Sequence, residues 1–272
     1  KPTWRLSTGL VSLDRILGGG IPSGSITQLY GEETSGKSSL ANRLVAEAIK
    51  AEKNVLFIPL EKYDEDFCRA CGIDIESPFF HIFAAENAEV VFNSCIKGIR
   101  EYDIDVVVID SITAAIPKDI LEKEHKVSAD ETGDKLGAYA TSVTKFIKRI
   151  QLPIRRKDAM LIMVNQVRAH ITHYGSGAPK PTGGYALQFW TDFKLSMYGK
   201  ANPTKGGVDS TITIKKCKDG KATAYGTATI FFKHGGGADL FLDLVDAAID
   251  SGVVSKAASW LKYREDKFQG LE

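Results

Sequence analysis

The chain has 272 residues, is 43% hydrophobic, and carries 35 basic against 34 acidic side chains for a net charge of +1. That size and apolar content suit one large globular domain or a core with a small appendage, and no apolar run is long enough to span a bilayer. The opening Lys1-Pro2-Thr3-Trp4-Arg5 lacks the pattern of a signal peptide, so a cytoplasmic protein is expected. With charges this balanced, contact with nucleic acid must come from a local basic surface and not from a global field. A start at Lys1 and an end at Leu271-Glu272 suggest an excised piece with a cloning scar.

In chain order, Ser25 to Tyr30 reads as a short strand, and the stretch from Ser39 to about Ala51 places Leu40, Leu44, Val45 and Ala48 at helical spacing. Between them, Gly31-Glu32-Glu33-Thr34-Ser35-Gly36-Lys37-Ser38 fits G-x-x-x-x-G-K-[ST] at every fixed position. Glycines there let successive N–H groups and the positive end of the helix surround a β-phosphate. Lys37 is expected to reach the β- and γ-phosphates and Ser38 to hold Mg²⁺, with Ser39 completing the nucleotide-binding stretch. The bland alternative is a Gly-rich turn that merely joins strand to helix.

Three nearly continuous apolar runs follow, Asn54–Leu60, Val106–Ile109 and Met160–Val164, of the kind found in strands buried on both faces. Segments long enough for crossover helices separate them, such as Glu89 to Arg100 and Gly137 to Ile150, which predicts an α/β fold with a parallel, helix-covered sheet. Each run ends in polar residues: Glu61, then Asp110 with Ser111, then Asn165 with Gln166. In open sheets of this kind ligands bind beyond the carboxyl ends of the strands. Asp110 is suited to hold Mg²⁺ through its water shell, with a buried capping Asp as the alternative. Glu61 could take a proton from the water attacking a γ-phosphate; otherwise it caps a helix at a strand-to-helix turn.

The four cysteines, Cys68, Cys71, Cys95 and Cys217, are too scattered for a disulfide framework, and reduced thiols are expected. Cys68-x-x-Cys71 has no second pair and falls in a helical-looking segment, so it is not read as a metal site. His170-x-x-His173 reads as a pair of polar loop residues. From Ala159 through Thr191 there is no Asp or Glu, while Arg168, His170, His173 and Lys180 supply actual or potential positive charge and Tyr174 an aromatic face. Gly175, Gly177, Pro179, Pro181, Gly183 and Gly184 predict that this segment is a mobile loop suited to a phosphate backbone. From Phe193 alternation takes over, and Thr211–Ile214 and Ala228–Phe232 read as antiparallel strands extending the sheet at one edge. Leu240 to Trp260 is expected to pack as a helix on the core through Leu244, Val245, Ala248 and Ile249. The division expected is a core over residues 1–239 and, over 240–272, a helical segment with the start of a truncated or absent C-terminal domain.

A phosphate loop alone does not separate a kinase, a GTPase, a transporter ATPase or a recombination motor. The set Leu6-Ser7-Thr8-Gly9 with Leu13-Asp14, Gly31 to Ser38, Phe57 to Glu61, Val108 to Ser111, Asn165 to Arg168 and Thr182-Gly183-Gly184 resembles bacterial RecA recombinases in order and spacing over nearly the whole chain. Tyr185, where that family usually has Asn, fits a distant member such as a phage-encoded one. The resemblance implies a RecA-type P-loop core and an ATP- and Mg²⁺-dependent, DNA-stimulated ATPase. Such a protein would form homo-oligomeric filaments on single-stranded DNA and exchange strands with a homologous duplex. It implies that Glu61 polarises water, that Gln166 senses the γ-phosphate, and that Asp64 and Phe67 contact adenine, with Phe67 replacing a Tyr. Lys216 and Lys218 resemble a pair reaching a neighbouring subunit's γ-phosphate; the alternative is a solvated basic strand end. A first DNA-binding loop would lie between about Ser128 and Gly137, with Leu136 inserted between bases although Asp130, Glu131 and Asp134 make it acidic. The second would use Arg168, His170, Ile171, Tyr174, Lys180, Thr182, Gly183 and Gly184. A hexameric helicase or repair ATPase on the same core, and a non-catalytic ATP-binding mediator, remain alternatives.

Overall fold

The computed structural model describes residues 2–121, 132–172, 175–181 and 184–270. The chain opens with β1 (Arg5–Leu6), α1 (Val11–Leu17) and β2 (Ile21–Pro22), in which β1 and β2 pair antiparallel. β3 (Ile26–Gly31) leads into α2 (Lys37–Lys50), whose Leu40, Leu44, Val45 and Ala48 are all buried. Next come β4 (Val55–Pro59), α3 (Glu65–Ala70), β5 (Phe80–Ile82), α4 (Ala88–Glu101) and β6 (Val106–Asp110). A 3-10 turn, Ile112–Ala114, and α5 (Lys118–Leu121) precede α6 (Thr132–Lys157), β7 (Met160–Thr172), β8 (Gly175–Pro181) and α7 (Gly184–Trp190). The chain continues through β9 (Phe193–Asn202), β10 (Gly207–Cys217), β11 (Thr227–Lys233) and α8 (Leu240–Asp250), then β12 (Ser255–Ala257), β13 (Trp260–Tyr263) and β14 (Asp266–Gln269).

One sheet dominates, in the order β11-β10-β9-β3-β7-β6-β4-β5, with β8 pairing to the far end of β7. Strands β9, β3, β7, β6, β4 and β5 run parallel, and β10 and β11 extend that sheet antiparallel at one edge. The parallel strands are apolar on both sides because helices cover both: Val106, Val107, Val108 and Ile109 are each 0% exposed. Burying one such side chain is worth about 1.5–3 kcal/mol, so these strands are fixed and the polar residues at their ends are held firmly. One core cluster packs α1 and α2 on one face; the other packs α4 and α6 on the opposite face, where Phe92 and Phe146 stack with ring centroids 4.2 Å apart.

The C-terminal segment departs from the sequence expectation. α8 ends at Asp250, and the residues expected to continue the helix form the small antiparallel sheet β12-β13-β14. Its inner face is also rotated: Asp243 and Ala247 are buried, whereas Leu244 is 52% exposed. The reason is a polar contact over a long chain separation. Leu10, the N-cap of α1, offers no side-chain acceptor, and Asp243 supplies one instead, accepting from Val11 N at 2.6 Å and from Ser12 N at 3.4 Å. Asp243→Ala is expected to cost about 1–3 kcal/mol of stability by leaving two helix-start donors without this acceptor. The urea midpoint measures it, and an unchanged midpoint would mean that solvent caps α1 equally well.

Candidate nucleotide and nucleic-acid site

The parallel register brings the expected residues to one edge of the sheet. Gly31 lies opposite Gln166 and Tyr30 opposite Asn165 across β3 and β7, and Asp110 lies opposite Pro59 across β6 and β4. Gly31 leaves no room for a side chain, because a Cβ there would sit 2.1 Å from the Met197 carbonyl oxygen. Gly36, with φ at +85°, makes the left-handed turn that starts α2. The loop between them keeps Ser35 and Lys37 buried, and the Lys37 ammonium donates to the Glu32 carbonyl and to Ser35 Oγ, the latter at 3.4 Å.

The charges of the site lean on one another. Burial lowers the Lys37 pKa, and Asp110, Glu61, Glu33 and Glu32 oppose that shift. Burial also pushes the Asp110 carboxyl up to about 6 and the nearby Glu61 adds to the rise, while a hydrogen bond from Ser38 and the charge of Lys37 pull it back. A half-buried carboxylate beside a serine hydroxyl is a hard oxygen donor set of the type that suits Mg²⁺, so Ser38 and Asp110 fit the ion expected there.

Glu61 is held at one oxygen. Ser111 Oγ donates to Glu61 Oε1 at 2.7 Å and Gln166 Nε2 to the same atom at 3.3 Å, and among the described residues none donates to Oε2. The capping role that is the alternative for Glu61 is filled by Asp64, which begins α3 and accepts from Phe67 N at 3.0 Å. Phe67 lines two adjoining depressions. One, of 120 Å³, also touches Ser38, Glu61, Asp64, Cys68 and Asp110; the other, of 240 Å³, is bounded by Thr34 to Ser39 and by Phe232, Lys233, His234 and Gly235. That second wall is not among the residues the sequence points to, and its only trace there is the Gly235-Gly236-Gly237 run after a strand. Cys68 and Cys71 are buried, with their thiols pushed up to about 12 and about 11 by burial, which leaves them inert as nucleophiles.

Lys216 and Lys218 are engaged within the subunit. Lys216 Nζ donates to the carbonyls of Gln188, at 2.7 Å, and Phe189, at 3.0 Å, closing the C-terminal end of α7. Lys218 pairs with Asp192 at 3.1 Å. Burial, with Lys218 next in weight, lowers the Lys216 pKa.

The Gly- and Pro-rich segment expected to be a mobile loop is a β-hairpin in its backbone. β7 continues past Gln166 and β8 returns along it, pairing Arg168 with Lys180, His170 with Gly177 and Ile171 with Ser176 around a bulge. The apolar and β-branched residues of β7 extend the strand out of the sheet, and this overrides the turn propensity of its partner. Arg168, His170, Ile171 and Lys180 are placed here by backbone alone; Gly184 begins α7, and His173, Tyr174, Thr182 and Gly183 lie outside the described residues. The expected first loop is shorter than its sequence suggests, because α6 starts at Thr132 and already includes Leu136; residues 128–131 lie outside the described ones. From Gly137 to Lys157 α6 has no acid, and Lys145, Lys148, Arg149, Arg155 and Arg156 are exposed on it, none in an ion pair among the described residues. This face is absent from the sequence expectations because an acid-free stretch signals a nucleic-acid surface most readily in a loop, and here it lies along a helix.

Among the described residues no helix is long and apolar enough to cross a membrane. The model of the RecA N-terminal domain matches residues 3–239. Protein RecA of Chloroherpeton thalassium is 33% identical over 98% of this chain and 74% of its own length. Protein RecA of Deinococcus radiodurans is also 33% identical, over 98% and 73%, and that of Aquifex pyrophilus is 31% identical over 98% and 76%. The phosphate loop, the polar strand ends beside it and this similarity along the chain lead to one assignment: the chain belongs to the RecA family of recombination ATPases.

Proposed function

We propose that the protein is an ATP- and Mg²⁺-dependent recombinase that assembles as a homo-oligomeric filament on single-stranded DNA in the cytoplasm and exchanges strands with a homologous duplex. Residues 1–239 form its motor core, α8 packs on that core as a helical segment of it, and the small sheet follows. The observation that carries this reading is the hydrogen bond from Gln166 to Glu61, because Gln166 is the last residue of β7 paired with β3 and the pairing with β8 begins at Val167. A side chain so placed meets both the carboxylate that would activate water and the element that would grip DNA.

Lys37 and the loop amides bind the triphosphate, while Ser38 and Asp110 hold Mg²⁺, which supplies charge neutralisation at the β- and γ-phosphates. Phe67 offers an aromatic face to the base and Asp64 a polar edge. Glu61 accepts the proton of the attacking water. Lys216 and Lys218 serve a neighbouring subunit's phosphate only after leaving the α7 carbonyls and Asp192, so that subunit contact and the position of α7 are linked. Since α7 follows the hairpin, DNA and nucleotide bias the same elements. The hairpin and the cationic face of α6 provide the phosphate-binding surface.

The test is incubation with circular single strands and homologous linear duplex in ATP and Mg²⁺. Joint molecules on gels and helical filaments by negative-stain imaging are expected. Closed rings that unwind duplex without forming joint molecules would replace this reading with a helicase.

A further inference from the structure

The Glu61 carboxylate is held by a chain of groups that ends on α6. Ser111, 1% exposed, donates to Glu61 Oε1 at 2.7 Å, and its oxygen lies 2.6 Å from Thr113 Oγ1. A hydroxyl has one proton and an ionised carboxylate only accepts. With the Ser111 proton directed at Glu61, Thr113 donates to Ser111. The two hydroxyls flank Ile112, which is 0% exposed and begins the 3-10 turn. The Ile112 carbonyl in turn accepts from the Tyr139 hydroxyl at 2.9 Å. Tyr139 lies on α6, six residues before Lys145, where the acid-free cationic face begins.

We propose that this turn is the element through which DNA on α6 sets the hydrolytic carboxylate. Tyr139 ties the turn to the helix, and Ser111, oriented by Thr113, is a positioning residue for Glu61. The inference rests on the reading of Glu61 as the base that activates water. Gln166 and Ser111 share Oε1, so when the Gln166 amide turns toward a γ-phosphate, Ser111 is what keeps the carboxylate aimed. The same arrangement leaves Oε2 for the water proton. Movement of the first turns of α6 pulls on the Ile112 carbonyl, and a buried Ile112 passes that displacement to the hydroxyls on either side of it rather than absorbing it.

Tyr139→Phe keeps the ring, which packs against the second core cluster, and removes the hydroxyl. The ratio of DNA-stimulated to unstimulated turnover is expected to fall about fivefold, the size of one lost hydrogen bond, at unchanged affinity for single-stranded DNA. In the nucleotide-free protein, amide exchange over residues 111–116 should accelerate. Ser111→Ala should lower kcat about tenfold with KM for ATP unchanged, and should cost nothing further in a Glu61→Gln background, because both act through one carboxylate. Wild-type stimulation and exchange in Tyr139→Phe would overturn the proposal, as would a Ser111→Ala loss that adds in full to that of Glu61→Gln. Glu61→Gln alone separates the two failures. Normal turnover there removes the base and the relay together; a collapse there with silent Ser111 and Tyr139 variants removes the relay only.

Discussion

Lys37→Ala should abolish DNA-stimulated ATP turnover, with a loss of about 10²–10³-fold or more, the scale on which a preorganised charge stabilises a transition state. Lys37 is 8% exposed and its ammonium faces Asp110, Glu61, Glu33 and Glu32, so it is the cation that would offset a triphosphate's charge in this loop. Alanine removes that cation and leaves the four carboxylates to repel a triphosphate. Nucleotide affinity should therefore fall along with kcat. The thermal midpoint should change little, since burial of the ammonium already works against its charged form. Turnover with and without single-stranded DNA, together with binding of a fluorescent ATP analogue, measures the effect. Stimulated turnover surviving in this variant would sink the site assignment.

The second large effect concerns Glu61. In Glu61→Gln the amide oxygen can still accept from Ser111 and Gln166, so the geometry persists while the base is lost. Turnover should fall about 10²–10⁴-fold, the usual contribution of a positioned general base. ATP-dependent binding to single-stranded DNA should remain and become long-lived, because the state formed on ATP binding no longer decays by hydrolysis. Filter binding or fluorescence anisotropy after dilution, set beside steady-state turnover, reads both. Loss of nucleotide binding instead would make Glu61 a structural residue.

Much of this site is legible in the amino-acid order, for a physical reason. A parallel sheet puts its ligand groups directly after buried apolar runs, so Glu61, Asp110, Asn165 and Gln166 stand out by position. The loop from Gly31 to Ser38 is contiguous and carries its own punctuation. Contacts between residues far apart in the chain are not legible in this way. Asp243 caps α1 from 232 residues away, Tyr139 reaches Ile112 from α6, and Lys216 closes α7, and none of these leaves a periodic trace. The hairpin from Val167 to Pro181 reads as a loop because Gly and Pro suggest one, whereas pairing with β7 fixes the backbone of β8. Leu244 belongs to an apolar stripe that ordinarily marks a buried face, and a single buried carboxylate decides the rotation of α8 instead.

The pairing of β3 with β7 runs unbroken from Ile26 opposite Leu161 to Gly31 opposite Gln166, and β9 holds β3 from its other side. Met160 to Val164 pack alternately into the two core clusters, so a slip of one residue would exchange the side chains that each cluster holds, and close packing resists that. Gln166 is therefore a pivot, and the six residues from Val167 to Thr172, paired only with β8, are a lever arm about 20 Å long. A rotation of about ten degrees at the pivot would carry Thr172, the far end of that arm, by roughly 3–4 Å, on the scale of one nucleotide's rise along a duplex. The amide that hydrogen-bonds the Glu61 carboxylate thus stands at the base of an arm that turns a small rotation into a displacement of nucleotide size.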